Sequence, residues 1–314
     1  TEGRMSLEDW IARSAALECD GLEIYSGFLR SHEASYLRDI RSRVESLGMT
    51  IPMLCYSPDF THPDADLRRG QIDRQIAMIR TIAELGGKYC RTLSGQARPD
   101  VPIGQGIDWV VECIESCLPD AEKRGITVVI ENHYKDGYWE YREFAQKMEV
   151  FLQIVNRIDS PYFGVQYDPS NAVVAGDDPI NLLDSILPKV RTMHASDRYL
   201  LPGTSLDDIR QADGTLGYPD KLVHGVTGEG TNDYDAIFTR AGVVSVNESK
   251  DPCHAASILS TPQLPKGPNL AIVSNGGGPG ILATDALVSQ GGKLAKLSRD
   301  SITALSEFLP ALWS

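Results

Sequence analysis

Short runs of strand-forming apolar residues recur along the first two thirds of the chain, separated by longer segments in which apolar positions fall at helical spacing. The runs are Gly21–Tyr25 (GLEIY), Ile51–Tyr56 (IPMLCY), Lys88–Leu93 (KYCRTL), Thr127–His133 (TVVIENH), Phe163–Asp168 (FGVQYD) and Val190–Ser196 (VRTMHAS). Between them the spacing predicts helices over Leu7–Glu18, Leu67–Leu85, Trp109–Arg124 and Glu143–Ile158. Ser6 with Asp9 three residues on forms an acidic variant of the capping box, and Gly86-Gly87 is a helix stop. Strands alternating with helices build βα units on a parallel sheet. Six or more such units within about 240 residues favour a closed (β/α) barrel over an open sheet.

The texture then changes. Leu200–Thr231 is rich in Gly, Asp and Pro and shows no strand of its own, so it is expected to be a long insertion after a strand, a place where function often sits. After Ala241 come TPQLPKGPN and AIVSNGGGPGILATDAL, which predict a strand, a Gly-rich turn and a helix of a different kind of unit. With 314 residues, 42% hydrophobic and 23% charged, the chain can bury a large core without staples, and collagen-like, disordered and disulfide-scaffold classes are excluded.

The formal charge of −13, from 30 Lys plus Arg against 43 Asp plus Glu, makes nucleic acid and anionic membrane poor partners. It leaves room for a phosphorylated small molecule in a cleft of opposite local charge. The six cysteines form no CxxC pair and several lie in apolar runs, which points to buried, reduced thiols. No stretch approaches a membrane span, and the first residues lack the apolar core of a signal peptide; a cytoplasmic location is the expectation.

Three strand ends carry metal-ligand chemistry. Glu131 follows VVI, Asp168 closes GVQYD and His194 lies in VRTMHASD. The C-terminal ends of barrel strands face the active site, so two carboxylates and an imidazole on successive strands can converge on one divalent cation. That donor set suits Mn, Mg, Co or Zn without choosing among them.

These segments, ENHY, GVQYDPSNA and MHASD in this order, resemble the xylose-isomerase-like TIM-barrel superfamily of sugar-phosphate isomerases and epimerases. The resemblance runs from Met5 to Phe238. It implies an α/β fold, a (β/α)8 barrel over residues 1–238, with Glu131, Asp168 and His194 as metal ligands. It also implies a reaction that moves a proton between carbons next to a carbonyl of a small sugar, keto-sugar or polyol. In such chemistry a cation stabilises charge on oxygen while carboxylates carry the proton. Glu131 is then the candidate base, or a ligand beside a different base. A lyase of the inosose or dehydroshikimate dehydratase type is the alternative on the same barrel. The expected partner is a small polyhydroxy molecule, and a homo-oligomer is compatible with the chain.

Around this core, His133 points into the pocket mouth or caps its strand. Asn171 stands where relatives often carry a substrate-facing His. Arg198 holds an anionic or hydroxyl-rich substrate, or forms a structural ion pair. His224 is a substrate contact or further ligand, with Glu229 a weaker candidate in the same loop. His62, Arg91 and Gln96 fall on active-face loops and fit packing roles.

Against the family pattern, the barrel is expected to lack its first strand and its normal last βα unit. Residues 239–314, with AGVVSV, LPKGPNLAIVSNGGGPGILATDAL, LAKLS and LPALWS, resemble instead the linker and opening half of a flavodoxin-like domain in ADP-forming acyl-CoA synthetases, relatives of succinyl-CoA ligase. No ligase activity is expected, because the other parts of that machinery are missing; a catalytically impaired chimera with a non-catalytic tail is the alternative. The Gly276–Gly280 turn aims backbone N–H groups at an anion or is simply tight. Glu248, in VVSVNES, stands about where the last barrel strand should offer its carboxylate, as fourth ligand and second proton-transfer group, or matches the ligase linker by coincidence.

Overall fold

The computed structural model describes residues 5–17, 19–205, 208, 222–243, 267–272, 277–289 and 291–307. It divides into two compact units, residues 1–245 and 246–314.

In the first unit, helix α1 (Leu7–Ser14) is capped as its sequence predicts, with the Ser6 hydroxyl accepting the Asp9 N–H. Then come β1 (Ile24–Tyr25), α2 (Ala34–Ser46), β2 (Met53–Cys55), α3 (Ala65–Glu84), β3 (Tyr89–Thr92), α4 (Ile103–Arg124), β4 (Thr127–Glu131), α5 (Met148–Arg157) and β5 (Phe163–Tyr167). The unit continues with α6 (Pro169–Ala175), α7 (Pro179–Ile186), β6 (Val190–Met193), β7 (Arg198–Leu200), β8 (Leu222–His224) and α8 (Tyr234–Ala241).

Strands β1 to β6 form one sheet in strict sequence order, every pair parallel. That order separates a barrel from a doubly wound sheet. Right-handed crossovers that always advance in one direction put every helix on the same face, leaving the other face to become an interior. Period-two alternation then sorts the side chains. Leu54, Cys90 and Val128 face outward into a core shared with Ile40, Val44, Ile79 and Ile82. Ile130, Phe163, Val165 and Tyr167 do the same against Val110, Ile114, Phe151, Ile154 and Leu183. Each such side chain contributes about 1.5–3 kcal/mol on burial. The alternate positions Cys55, Arg91, Glu131 and Gln166 turn inward, and the register pairs Cys55 with Arg91 and Glu131 with Gln166.

Several boundaries differ from the sequence expectation. Leu200–Thr231 does contain strand: β7 and β8 pair antiparallel, Arg198 opposite His224 and Leu200 opposite Leu222. Polar composition hid this short hairpin, which lies outside the main sheet and needs no apolar alternation. Helix α4 begins six residues before Trp109, at Ile103, although Gly104 and Gly106 weaken its first turns. Tertiary packing overrides propensity there, since a Cβ at Gly106 would stand 2.4 Å from the Phe144 ring. The helix predicted from Glu143 starts only at Met148, because the Glu143 carboxylate is drawn to Ser94 and Glu143 forms a bridge to Gln96. The α1 helix stops at Ser14 and passes into a short 3-10 turn.

The second unit holds β9 (Asn269–Leu270), α9 (Gly277–Ser289), β10 (Lys293–Leu294) and α10 (Arg299–Ser306). Strands β9 and β10 are parallel around the α9 crossover, a βα unit of the expected type. Part of the Gly276–Gly280 turn, and all of Glu248 and Cys253, lie outside the described residues. The other five cysteines are free thiols, four of them buried. Among the described residues no helix is long and apolar enough to cross a membrane.

Candidate metal centre

Glu131 is the last residue of β4 and points into the interior, 3% exposed. Asp168 follows β5 and caps α6: its Oδ1 accepts the Asn171 N–H at 3.0 Å and the Ser196 hydroxyl at 2.9 Å. Pro169 supplies the preset φ of the first helical position. With Oδ1 occupied in this way, Oδ2 is the oxygen that faces His194, 3.8 Å away. The Asn132 side chain pairs both backbone groups of Asp168, at 2.6 and 2.8 Å, and so fixes the end of β5 against the end of β4. His194 follows β6 and is tied back by its N–H to the Tyr167 carbonyl at 2.9 Å. Its Nδ1 stands 3.1 Å from Glu131 Oε1.

One ligand atom from each of Glu131, Asp168 and His194 lies within 4.8 Å of the other two. Two hard oxygens and an imidazole nitrogen gathered this closely fit a divalent cation of the Mn, Mg, Co or Zn kind. The electrostatics agree. Burial alone would raise the Glu131 carboxyl, but the Arg91 guanidinium and the hydrogen bond from His194 hold it below the usual range. Burial and the neighbouring Glu131 charge push Asp168 up. Burial works against a charged His194, yet hydrogen bonds to Glu131 and Glu23 outweigh it and raise the imidazole well above its ordinary value. A positive charge is thus stabilised between these carboxylates, as an ion would be.

The other sequence candidates divide. Asn171 reaches the cluster, its amide 3.4 Å from Glu131 Oε1. Arg198 is buried, donates to Asn171 Oδ1 at 3.1 Å and stands over the Tyr134 ring. Arg91, expected to pack, borders the site instead, its Nε 3.5 Å from Glu131 Oε2. His224 is exposed on the β7–β8 hairpin, and it is not brought together with the three converging residues. Glu229 accepts from the Tyr199 hydroxyl at the surface. Gln96 packs as expected, donating to Asp59, and His62 accepts the Asp64 N–H beside α3.

His133 faces Glu143, with Nδ1 and Oε2 3.9 Å apart, and both atoms are buried without a hydrogen-bond partner. The other Glu143 oxygen accepts the N–H and hydroxyl of Ser94 at 2.8 and 2.5 Å. Burial pushes the Glu143 carboxyl from 4.5 up to about 8 and the His133 imidazole from 6.5 down to about 4, so each favours its neutral form. For Glu143 the folded chain keeps a proton that the unfolded chain releases above 4.5. Its contribution to stability is therefore present below 4.5 and is lost as pH rises through about 8. Glu143→Gln is expected to flatten the fall in urea-unfolding stability between those limits; a variant as pH-dependent as the wild type would assign the fall to other groups.

Three residues escaped the sequence reading. Glu23 sits inside GLEIY, where a charge in an apolar run at an inward position was the available signal. Glu143 looked like a helix residue. Asp197, 1% exposed, accepts the N–H groups of Arg198, Gly228, Gly230 and Asn232.

Residues 11–241 match the xylose isomerase-like TIM barrel family. Among solved structures, a D-tagatose 3-epimerase-like protein aligns with TM-score 0.59 and 18% identity, over 81% of this chain and 92% of its own. The IOLI protein, solved with a zinc atom, gives 0.60 and 18% over 78% and 82%. The probable 3-DHS dehydratase AsbF of Bacillus anthracis gives 0.58 and 14% over 83% and 96%. At these identities the likeness is one of fold. Separately, 79 residues are 39% identical to the alpha subunit of acetate–CoA ligase [ADP-forming] II of Pyrococcus furiosus. That stretch is 25% of this chain and spans only 17% of that relative's length.

Proposed function

The chain belongs to the xylose isomerase-like TIM barrel family, and from that premise we propose that it is a divalent-metal-dependent isomerase or epimerase acting on a small polyhydroxy carbonyl compound. The observation that carries this reading is the convergence of Glu131, Asp168 and His194 within 4.8 Å at adjacent strand ends. These three residues would hold the ion. When bound, the ion supplies a Lewis acid that stabilises negative charge developing on a substrate oxygen.

The chain's own groups supply the rest. Glu131 keeps its carboxylate charged despite burial, which suits a ligand and also a base within reach of a proton beside the carbonyl. Arg198 and Asn171, hydrogen-bonded to each other, would orient substrate oxygens. His133 borders the same space in its neutral form.

Incubating the metal-loaded chain with a panel of ketoses, aldoses, inososes and hydroxy-ketoacids in heavy water tests the reading. Deuterium appearing at the carbon next to the carbonyl of a recovered or isomerised compound is the expected result. Water loss to an unsaturated product would move the assignment to a lyase on the same barrel. No exchange with any member, in a chain that binds the ion, would overturn both.

A further inference from the structure

His194 is held from both sides. Its Nδ1 is the nitrogen that faces the two proposed ligands, 3.1 Å from Glu131 Oε1 and 3.8 Å from Asp168 Oδ2. On the opposite edge of the ring Nε2 lies 2.9 Å from Glu23 Oε1. Glu23 immediately precedes β1, so it reaches this ring from the far side of the six-stranded sheet, across the interior from β6. Its Oε1 is in turn held by the buried Cys55 thiol of β2, which donates at 2.7 Å. If Nδ1 takes an ion, Nε2 must carry the proton, and a carboxylate is the acceptor that best fixes that tautomer. The Gln166 side-chain amide also lies against Nε2, at 2.5 Å, and its Oε1 is otherwise unpartnered. Turned toward Nε2, that oxygen makes Gln166 a neutral second acceptor beside the charged one.

We propose that Glu23 is the positioning residue of the metal centre. Its carboxylate accepts Nε2–H of His194 and holds the ring so that Nδ1 faces Glu131 and Asp168. The inference rests on the metal reading above and adds to it a residue that touches neither ion nor substrate. It explains why a carboxylate stands in the middle of an apolar strand run. An imidazole without this partner can rotate about its last side-chain bond and offer the wrong edge.

The test uses the full chain, stripped with chelator and titrated calorimetrically with Zn²⁺. The variants are Glu23→Ala, Glu23→Gln and Glu131→Gln, and ¹⁵N spectra of the histidine side chains are recorded in the loaded state. Glu23→Ala is expected to weaken binding by about 10–100-fold and to shift the His194 Nε2 resonance. Glu23→Gln, whose amide oxygen still accepts, should restore most of the affinity while shifting that resonance part of the way. If Glu23→Ala does not fold, the partial shift in Glu23→Gln decides alone. Glu131→Gln binding lost while Glu23→Ala binds like wild type, its Nε2 resonance unmoved, would overturn the role of Glu23 and leave the metal centre standing. A wild-type chain that takes up no Zn²⁺ would overturn both.

Discussion

Glu131→Gln is expected to abolish high-affinity divalent-metal binding, with a loss of more than about 100-fold, and to remove any proton exchange on substrate. The estimate starts from the 10–100-fold typical of losing a group that merely orients a ligand; removing a charged ligand should exceed it. The amide cannot supply the negative charge that two neighbouring cations now share. Arg91 stands 3.5 Å away and is 7% exposed, so it would be left as a buried guanidinium with a neutral neighbour. Leaving one partner of a buried pair uncompensated costs about 3–5 kcal/mol. The variant should therefore also unfold at lower urea than wild type. Calorimetry with Mn²⁺ or Zn²⁺, paired with unfolding curves, checks both parts. Full metal affinity in a folded Glu131→Gln chain would show that the ion, if bound, sits elsewhere.

The second large effect is expected at a residue that is not a ligand, three positions after His194. Asp197 is a side chain that organises backbone. Its Oδ2 accepts Gly228 N–H and Gly230 N–H, each at 2.9 Å, while Oδ1 accepts Arg198 N–H at 2.9 Å and both amides of Asn232. Gly230 is part of the fit, because a Cβ there would stand 2.4 Å from the Arg198 carbonyl and 2.5 Å from Asp197 Oδ1. Through Asn232 the clamp reaches Ser170 at 3.1 Å, at the start of α6. Asp197→Ala would strand several buried donors at once and is expected to cost about 3–5 kcal/mol, whereas Asp197→Asn keeps one acceptor and should cost less. Because Ser196 beside it donates to Asp168, metal affinity should fall modestly as well. A urea midpoint within error of wild type for Asp197→Ala would mean that the 228–232 loop is held by other contacts.

How much of this was readable beforehand follows from what each residue depends on. Asp168 and Glu131 announced themselves because each terminates an apolar run, and chain order alone sets barrel neighbours side by side. The parallel sheet followed from strands alternating with helices, and the six strands lie close to the predicted runs. Glu143 did not, since its place depends on Ser94 in the preceding strand-to-helix connection, a pairing that no local spacing encodes. Nor did Glu23, whose partner His194 is distant in the chain and adjacent only once the sheet curves round. The β7–β8 hairpin was missed because three-residue strands outside the main sheet carry no periodic signal. The second unit holds a parallel β9–β10 pair around a helix, and a stretch of 79 residues of the chain is ligase-like, as the resemblance implied.

The central claim is that Glu131, Asp168 and His194 share one ion. Crystals soaked in Mn²⁺ or Zn²⁺ and measured at the metal absorption edge address it directly. The account predicts one strong anomalous peak about 2.0–2.3 Å from a carboxylate oxygen of Glu131, a carboxylate oxygen of Asp168 and Nδ1 of His194. A fully soaked crystal with no peak between these three side chains, or with His194 turned away from the two carboxylates, would contradict it.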